Sequence, residues 1–220
     1  LMYSARPLVV ALTKGKCWTD SAYFTQVLLP DYLEQHPDDT EAWDVVYDAR
    51  GHLAEPHTGC RTDLGTIEVR DYLKAWEDAP EDEAIVVRHA FPTCGPLHRY
   101  RHVLFVEKEG FNPLFDHVAL AARFDLAIMS TKGMSVTAAR RLVEALSNEG
   151  VTILVLHDFD KAGFSIVHTL RSDTRRYQFA TTPNVVDLGL RLDDVEALEL
   201  GSEPVTYKGR VNPSWNLREA

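Results

Sequence analysis

The chain has 220 residues, 45% hydrophobic and 25% charged, the balance of a soluble globular protein with room for one large or two small domains. Its net charge of -10 speaks against indiscriminate nucleic-acid binding, and no apolar run approaches the roughly 20 residues that a membrane helix needs. Three scattered cysteines, Cys17, Cys60 and Cys94, do not make a disulfide framework and fit a reducing, cytoplasmic compartment.

The sequence opens Leu1-Met2-Tyr3, as if continuing from an upstream segment. Thr19 or Asp20 is a plausible helix N-cap, with Tyr23, Phe24, Val27, Leu28 and Tyr32 following at helical spacing and Pro30 interrupting it. Trp43–Tyr47 alternates as a short strand, Asp48-Ala-Arg-Gly51 reads as a turn, and His52–Glu55 would be the return strand. Helix followed by hairpin is the order of a winged-helix module. Leu64–Trp76 predicts a helix with Val69, Leu73 and Trp76 on one face. The acidic stretch Glu77–Glu83, broken by Pro80, marks a domain boundary. The expected division is therefore a winged-helix-like, DNA-binding module over residues 1–80, truncated at its start, and a second domain over 98–220. His57-Thr-Gly-Cys60 and Cys94-Gly-Pro-Leu-His98 are only loosely spaced for zinc, and small thiols with surface histidines are the plainer reading.

After Arg101 the pattern changes. Strands at Val103–Val106, Leu126–Met129 and Val151–Leu156 alternate with helices at Pro113–Arg123, Ser135–Ser147 and Ala162–Leu170, and Tyr177–Ala180 is a further strand candidate. This alternation predicts an α/β fold, a parallel sheet with helices on both faces and functional side chains beyond the strands' carboxyl ends. Residues 86–180 hold 12 Lys/Arg against 9 Asp/Glu, so this segment is slightly basic within an acidic chain.

The first strand runs into Glu107-Lys108, the second into Ser130-Thr-Lys132-Gly133, and the third into His157-Asp158-Phe-Asp160-Lys-Ala-Gly163. Asp158 and Asp160 are two apart and point the same way in extended backbone. Crowded carboxylates repel, and a divalent cation removes that penalty; Mg²⁺ takes a few carboxylates and keeps water and phosphate oxygens. Glu107 would complete such a site or act as a general acid/base. The plainer alternative is a set of solvated strand-end acids.

In order and spacing, Val103–Leu170 resembles the Toprim domain, most closely that of the topoisomerase VI A-type chain and its meiotic DNA-breaking relatives. The resemblance rests on Glu107-Lys108, on Lys132-Gly133 with Arg140 in the following helix, and on Asp158-x-Asp160 with Gly163. Lys161 stands where the family has Pro, and Lys132-Gly-Met-Ser where it has Lys-Gly-Tyr-Pro. The resemblance implies a Toprim, Rossmann-like sheet and Mg²⁺ (one or two ions, with Mn²⁺ able to substitute) held by Glu107, Asp158 and Asp160. It implies a tyrosine nucleophile on an upstream winged helix, for which Leu1-Met2-Tyr3-Ser4 offers Tyr3. Lys132 and Arg140 would hold phosphate oxygens, and Arg171 and Arg175 would track a DNA backbone. A phenol attacks poorly at its usual pKa near 10 and would need a nearby cation or base.

The leading expectation is Mg²⁺-dependent DNA cleavage by tyrosine transesterification, in a homodimer with an ATPase partner of the B type, in a prokaryotic cytoplasm at the nucleoid. Two alternatives remain: a hydrolytic Toprim nuclease of the plasmid- and phage-defence kind, and a non-catalytic DNA-binding or assembly module.

Overall fold

The computed structural model describes residues 2–15, 23–79, 92–131 and 137–201. Two compact units divide between Val45 and Val46. The first unit contains α1 (Met2–Thr13), a π-helical turn (Phe24–Leu28), α2 (Leu29–Gln35) and α3 (Pro37–Thr40). The interruption expected at Pro30 appears as two short pieces: the π-helical turn, closed by the Leu29 N–H on the Phe24 carbonyl, ends just before the proline, which stands in the first turn of α2.

The second unit is built on a six-stranded sheet: β1 (His52–Ala54), β2 (Arg61–Asp63), β3 (His102–Val106), β4 (Leu126–Ser130), β5 (Thr152–Leu156) and β6 (Val185–Asp187). The order is β2-β1-β4-β3-β5-β6. β4, β3, β5 and β6 are parallel neighbours, and β1 and β2 add to the β4 edge antiparallel. The α/β reading thus holds for the βαβ region.

The expected hairpin takes a different course. Trp43–Arg50 forms no strand, and His52–Ala54 pairs with β4 in the main sheet and with the unforeseen β2. Gly51 explains the approach. Its φ is +82°, and a Cβ there would fall 2.0 Å from the Ser130 carbonyl oxygen, so only glycine lets this backbone reach the end of β4. No two-stranded wing is therefore formed by residues 43–55, and among the described residues the first unit contains no strand.

One face of the sheet carries Val103, Phe105, Ala127, Met129, Ile153 and Val155, packed under α4 (Thr66–Glu77), α7 (Thr137–Asn148) and α8 (Lys161–Arg171). The other carries Leu104, Val106, Leu126 and Ile128 against Phe115 of α5 (Asn112–His117) and Leu120 of α6 (Leu120–Phe124). The predicted helix over Pro113–Arg123 is split because Ala119 takes a left-handed φ of +50°. Tyr177–Ala180 is no strand. Tyr177 and Phe179 instead lie against the Arg140 guanidinium, and the last parallel strand comes later, at Val185–Asp187.

Candidate functional site

Strand register sets the edge where chemistry is expected. Val106 is level with both Ser130 and Leu156, so Glu107, Thr131 and His157 each stand one residue past adjacent parallel strands. Glu107 is half-buried, while Asp158 and Asp160 lie on the short β5–α8 connection. There the Asp160 N–H donates to the Asp158 carbonyl at 2.9 Å.

Asp160 has a local task as well. It is the N-cap of α8, its Oδ1 accepting from the Gly163 N–H at 2.7 Å. Lys108 spans the two strand ends, with Nζ 2.8 Å from Asp158 Oδ2. Its ammonium is held above the usual lysine pKa by that hydrogen bond first, then by the charges of Asp158, Glu107 and Asp160. Asp158 is the expected metal acid in direct contact with this cation.

Among the described residues, no three His, Cys, Asp or Glu side chains stand together as a ready metal cage. As a donor set, the carboxylates of Glu107, Asp158 and Asp160 are oxygen-only, the type that Mg²⁺ takes together with several waters. Glu107, Asp158 and Asp160 are the residues that would hold it.

Beneath this edge lies a support built on His157. The His157 side chain is fully buried. Its Nδ1 is 2.7 Å from the Asp158 carbonyl oxygen, and its Nε2 is 3.0 Å from Asp187 Oδ1. Both partners are pure acceptors, so whichever ring nitrogen carries hydrogen has an acceptor opposite it. The ring is clamped between two glycines: a Cβ on Gly163 would fall 2.5 Å from Nδ1, and one on Gly189 2.2 Å from Nε2. Asp187 also accepts from the Gly189 N–H at 2.8 Å. The signal in the sequence is Asp187-Leu-Gly189 after a valine pair, masked by the earlier strand candidate at Tyr177–Ala180.

A second cluster crosses the end of β4. His52 on β1 is buried, with Nδ1 3.0 Å from Glu109 Oε1 and Nε2 3.2 Å from Asn112 Nδ2. Nδ1 thus faces an acceptor in Glu109 and a donor in Arg61, and Nε2 faces the Asn112 amide donor. The Arg61 guanidinium lies alongside, its Nη2 2.8 Å from His52 Nδ1. This ties the loop carrying Glu107 and Lys108 to the added antiparallel strand, a link that no local pattern could announce.

The other expected residues fare unevenly. Arg140, expected to hold a phosphate, is buried at 3% exposure. Its guanidinium donates to Ser172 O at 2.5 Å and to Thr174 Oγ1, and stacks on Tyr177 and Phe179 with its carbon 5.2 and 4.8 Å from the ring centres. Burial lowers its pKa. This arginine is buried as an internal brace, because α7 turns it onto the 172–179 segment. Arg171 is exposed but donates to the Val185 carbonyl at 2.8 Å, tying α8 to β6. Arg175 is exposed. Lys132 and the side chain of Tyr3 lie outside the described residues.

The zinc-like spacings have other partners. His57 Nε2 is 2.6 Å from Asp125 Oδ1 in a buried pair, and the His98 N–H donates to Glu55. No helix of the described residues is long and apolar enough to cross a membrane.

Comparison with known families matches residues 102–217 to the Toprim domain of the topoisomerase 6 A-type/Spo11 family. Comparison with curated proteins finds no match.

Proposed function

The chain belongs to the topoisomerase 6 A-type/Spo11 Toprim family, a family of DNA-cleaving enzymes, and from that premise we propose that it cuts DNA by Mg²⁺-dependent tyrosine transesterification. The observation that carries the reading is the delivery of Glu107 and Asp158 by two adjacent parallel strands to one edge, inside the matched segment. Glu107, Asp158 and Asp160 would hold one or two Mg²⁺ ions, and Mn²⁺ would substitute. Bound there, the ion supplies stabilisation of the charge that develops at the scissile phosphate.

The chain's own groups do the rest in this reading. The Tyr3 phenol oxygen bonds to phosphorus while the phosphorus–deoxyribose oxygen bond breaks. The phenol gives up its proton, and the departing oxygen receives one. Glu107, at its strand end, is the candidate for moving a proton, and Lys132 the candidate for holding a phosphate oxygen. Each chain cuts one strand, so a double-strand break needs a homodimer. Strand passage would also need an ATPase partner of the B type.

The test is incubation of supercoiled plasmid with the protein and Mg²⁺ or Mn²⁺, followed by denaturing gels that separate protein–DNA adducts from free ends. Cleavage lost in Asp158→Ala and adducts lost in Tyr3→Phe are the expected results. Free ends without adducts, indifferent to Tyr3→Phe, would replace the tyrosine with water and make the protein a hydrolytic nuclease. Absence of any cleavage with either metal would leave a non-catalytic module.

A further inference from the structure

We infer that Lys108 is a resident cation of the acidic edge, a competitor that the divalent ion must displace from Asp158 in order to bind. The inference rests on the reading of Glu107, Asp158 and Asp160 as the metal acids. Strand register makes the placement systematic: Val106 and Leu156 are level, so Lys108 and Asp158 are the second residues past neighbouring parallel strands and face each other directly. Nζ lies 2.8 Å from Asp158 Oδ2, occupying an oxygen that a metal would need.

Each carboxylate oxygen has two lone pairs, but a divalent ion ligated beside the ammonium on Asp158 would meet like-charge repulsion. The pair is also easily broken. The two side chains are 58% and 59% exposed, and exposed ion pairs are weak and screened by salt. Lys108 therefore offsets the repulsion among the acids when no metal is bound, without locking the site against one. Removing its charge should tighten metal binding, the opposite of what a residue that helps to hold the ion would do.

The test is direct measurement of Mn²⁺ binding to the full chain, by the paramagnetic resonance signal of free Mn²⁺ at low ionic strength, with thermal melts to confirm folding. K108M should lower the Mn²⁺ dissociation constant about two- to fivefold, the range that loss of an exposed ion pair allows. K108R, which keeps the charge, should bind no more tightly than the wild type. An unchanged or raised dissociation constant in K108M overturns the competitor role while leaving the metal reading intact. Absence of Mn²⁺ binding in wild type and K108M alike overturns both.

Discussion

Asp187, at the end of β6, holds His157 at the end of β5: Oδ1 and Nε2 are 3.0 Å apart, while the other ring nitrogen is 2.7 Å from the carbonyl of Asp158. The imidazole is thus a rigid spacer between a carboxylate and the backbone that carries a candidate metal ligand. Partners of this outer kind, which touch ligands and not the metal, usually cost about 10- to 100-fold in metal affinity or activity when removed. Asp187→Ala should produce a loss of that size in metal-dependent cleavage with the fold retained. An Asp187→Ala protein that binds Mn²⁺ and cuts DNA as well as wild type would show that the spacer is dispensable.

Asp160 has two jobs that substitution can separate. Its Oδ1 caps α8 through the Gly163 N–H, and its charge belongs to the acidic edge. Asparagine keeps a capping oxygen but not the charge; alanine keeps neither. Asp160→Asn should retain wild-type stability and lose metal binding, whereas Asp160→Ala should lose the binding and about 1 kcal/mol of stability as well. Equal melting of the two variants in denaturant would show the cap to be energetically idle.

Arg140 should behave as a core residue in DNA-binding assays. Its guanidinium serves Ser172, Thr174 and two aromatic rings, and truncation leaves the Ser172 carbonyl without its donor. Arg140→Met should cost about 2 kcal/mol of stability, from an acceptor left unsatisfied beneath the 172–179 segment. The salt dependence of DNA affinity should stay unchanged, because a residue that meets no phosphate releases no counterions. A flattened salt slope with unchanged stability would return Arg140 to the DNA-facing set.

These residues mark what could be read from the sequence. Three of the four parallel strands of the matched segment are legible, since β-branched and apolar runs of strand length alternate with helical periodicity, and Glu107, Asp158 and Asp160 fall just past strand ends. The fate of residues 43–63 is not. A turn ending in glycine specifies a bend, whereas the partner of His52–Ala54 is β4, far along the chain at Ile128–Ser130, and non-local pairing leaves no local trace. Arg140 misled for a related reason. An arginine on a helix face looks solvated until tertiary packing brings Tyr177 and Phe179 over it. His52 and Glu109 are likewise invisible as a pair until the sheet closes.

The last expectation concerns pH. Tyr72 and Tyr100 are buried, their hydroxyl oxygens 2.8 Å apart, and Tyr72 donates to Glu55 at 2.8 Å. Burial above all raises both phenols well beyond the usual tyrosine range, and the charge of Glu55 pushes the same way. In the unfolded chain these phenols lose protons near pH 10, while in the folded chain they keep them. The unfolded state is therefore favoured progressively as pH climbs past about 10, and the stability present below that value is lost above it. Tyrosinate absorbance should show Tyr72 and Tyr100 silent until the chain unfolds, then ionising together in a step that coincides with loss of circular dichroism. Replacing Tyr72 with phenylalanine tests the assignment, since it should take one phenol out of that step and leave Glu55 short of a donor, at a cost of about 1–3 kcal/mol at neutral pH. Smooth ionisation of every tyrosine near pH 10 with the fold intact would contradict the buried network.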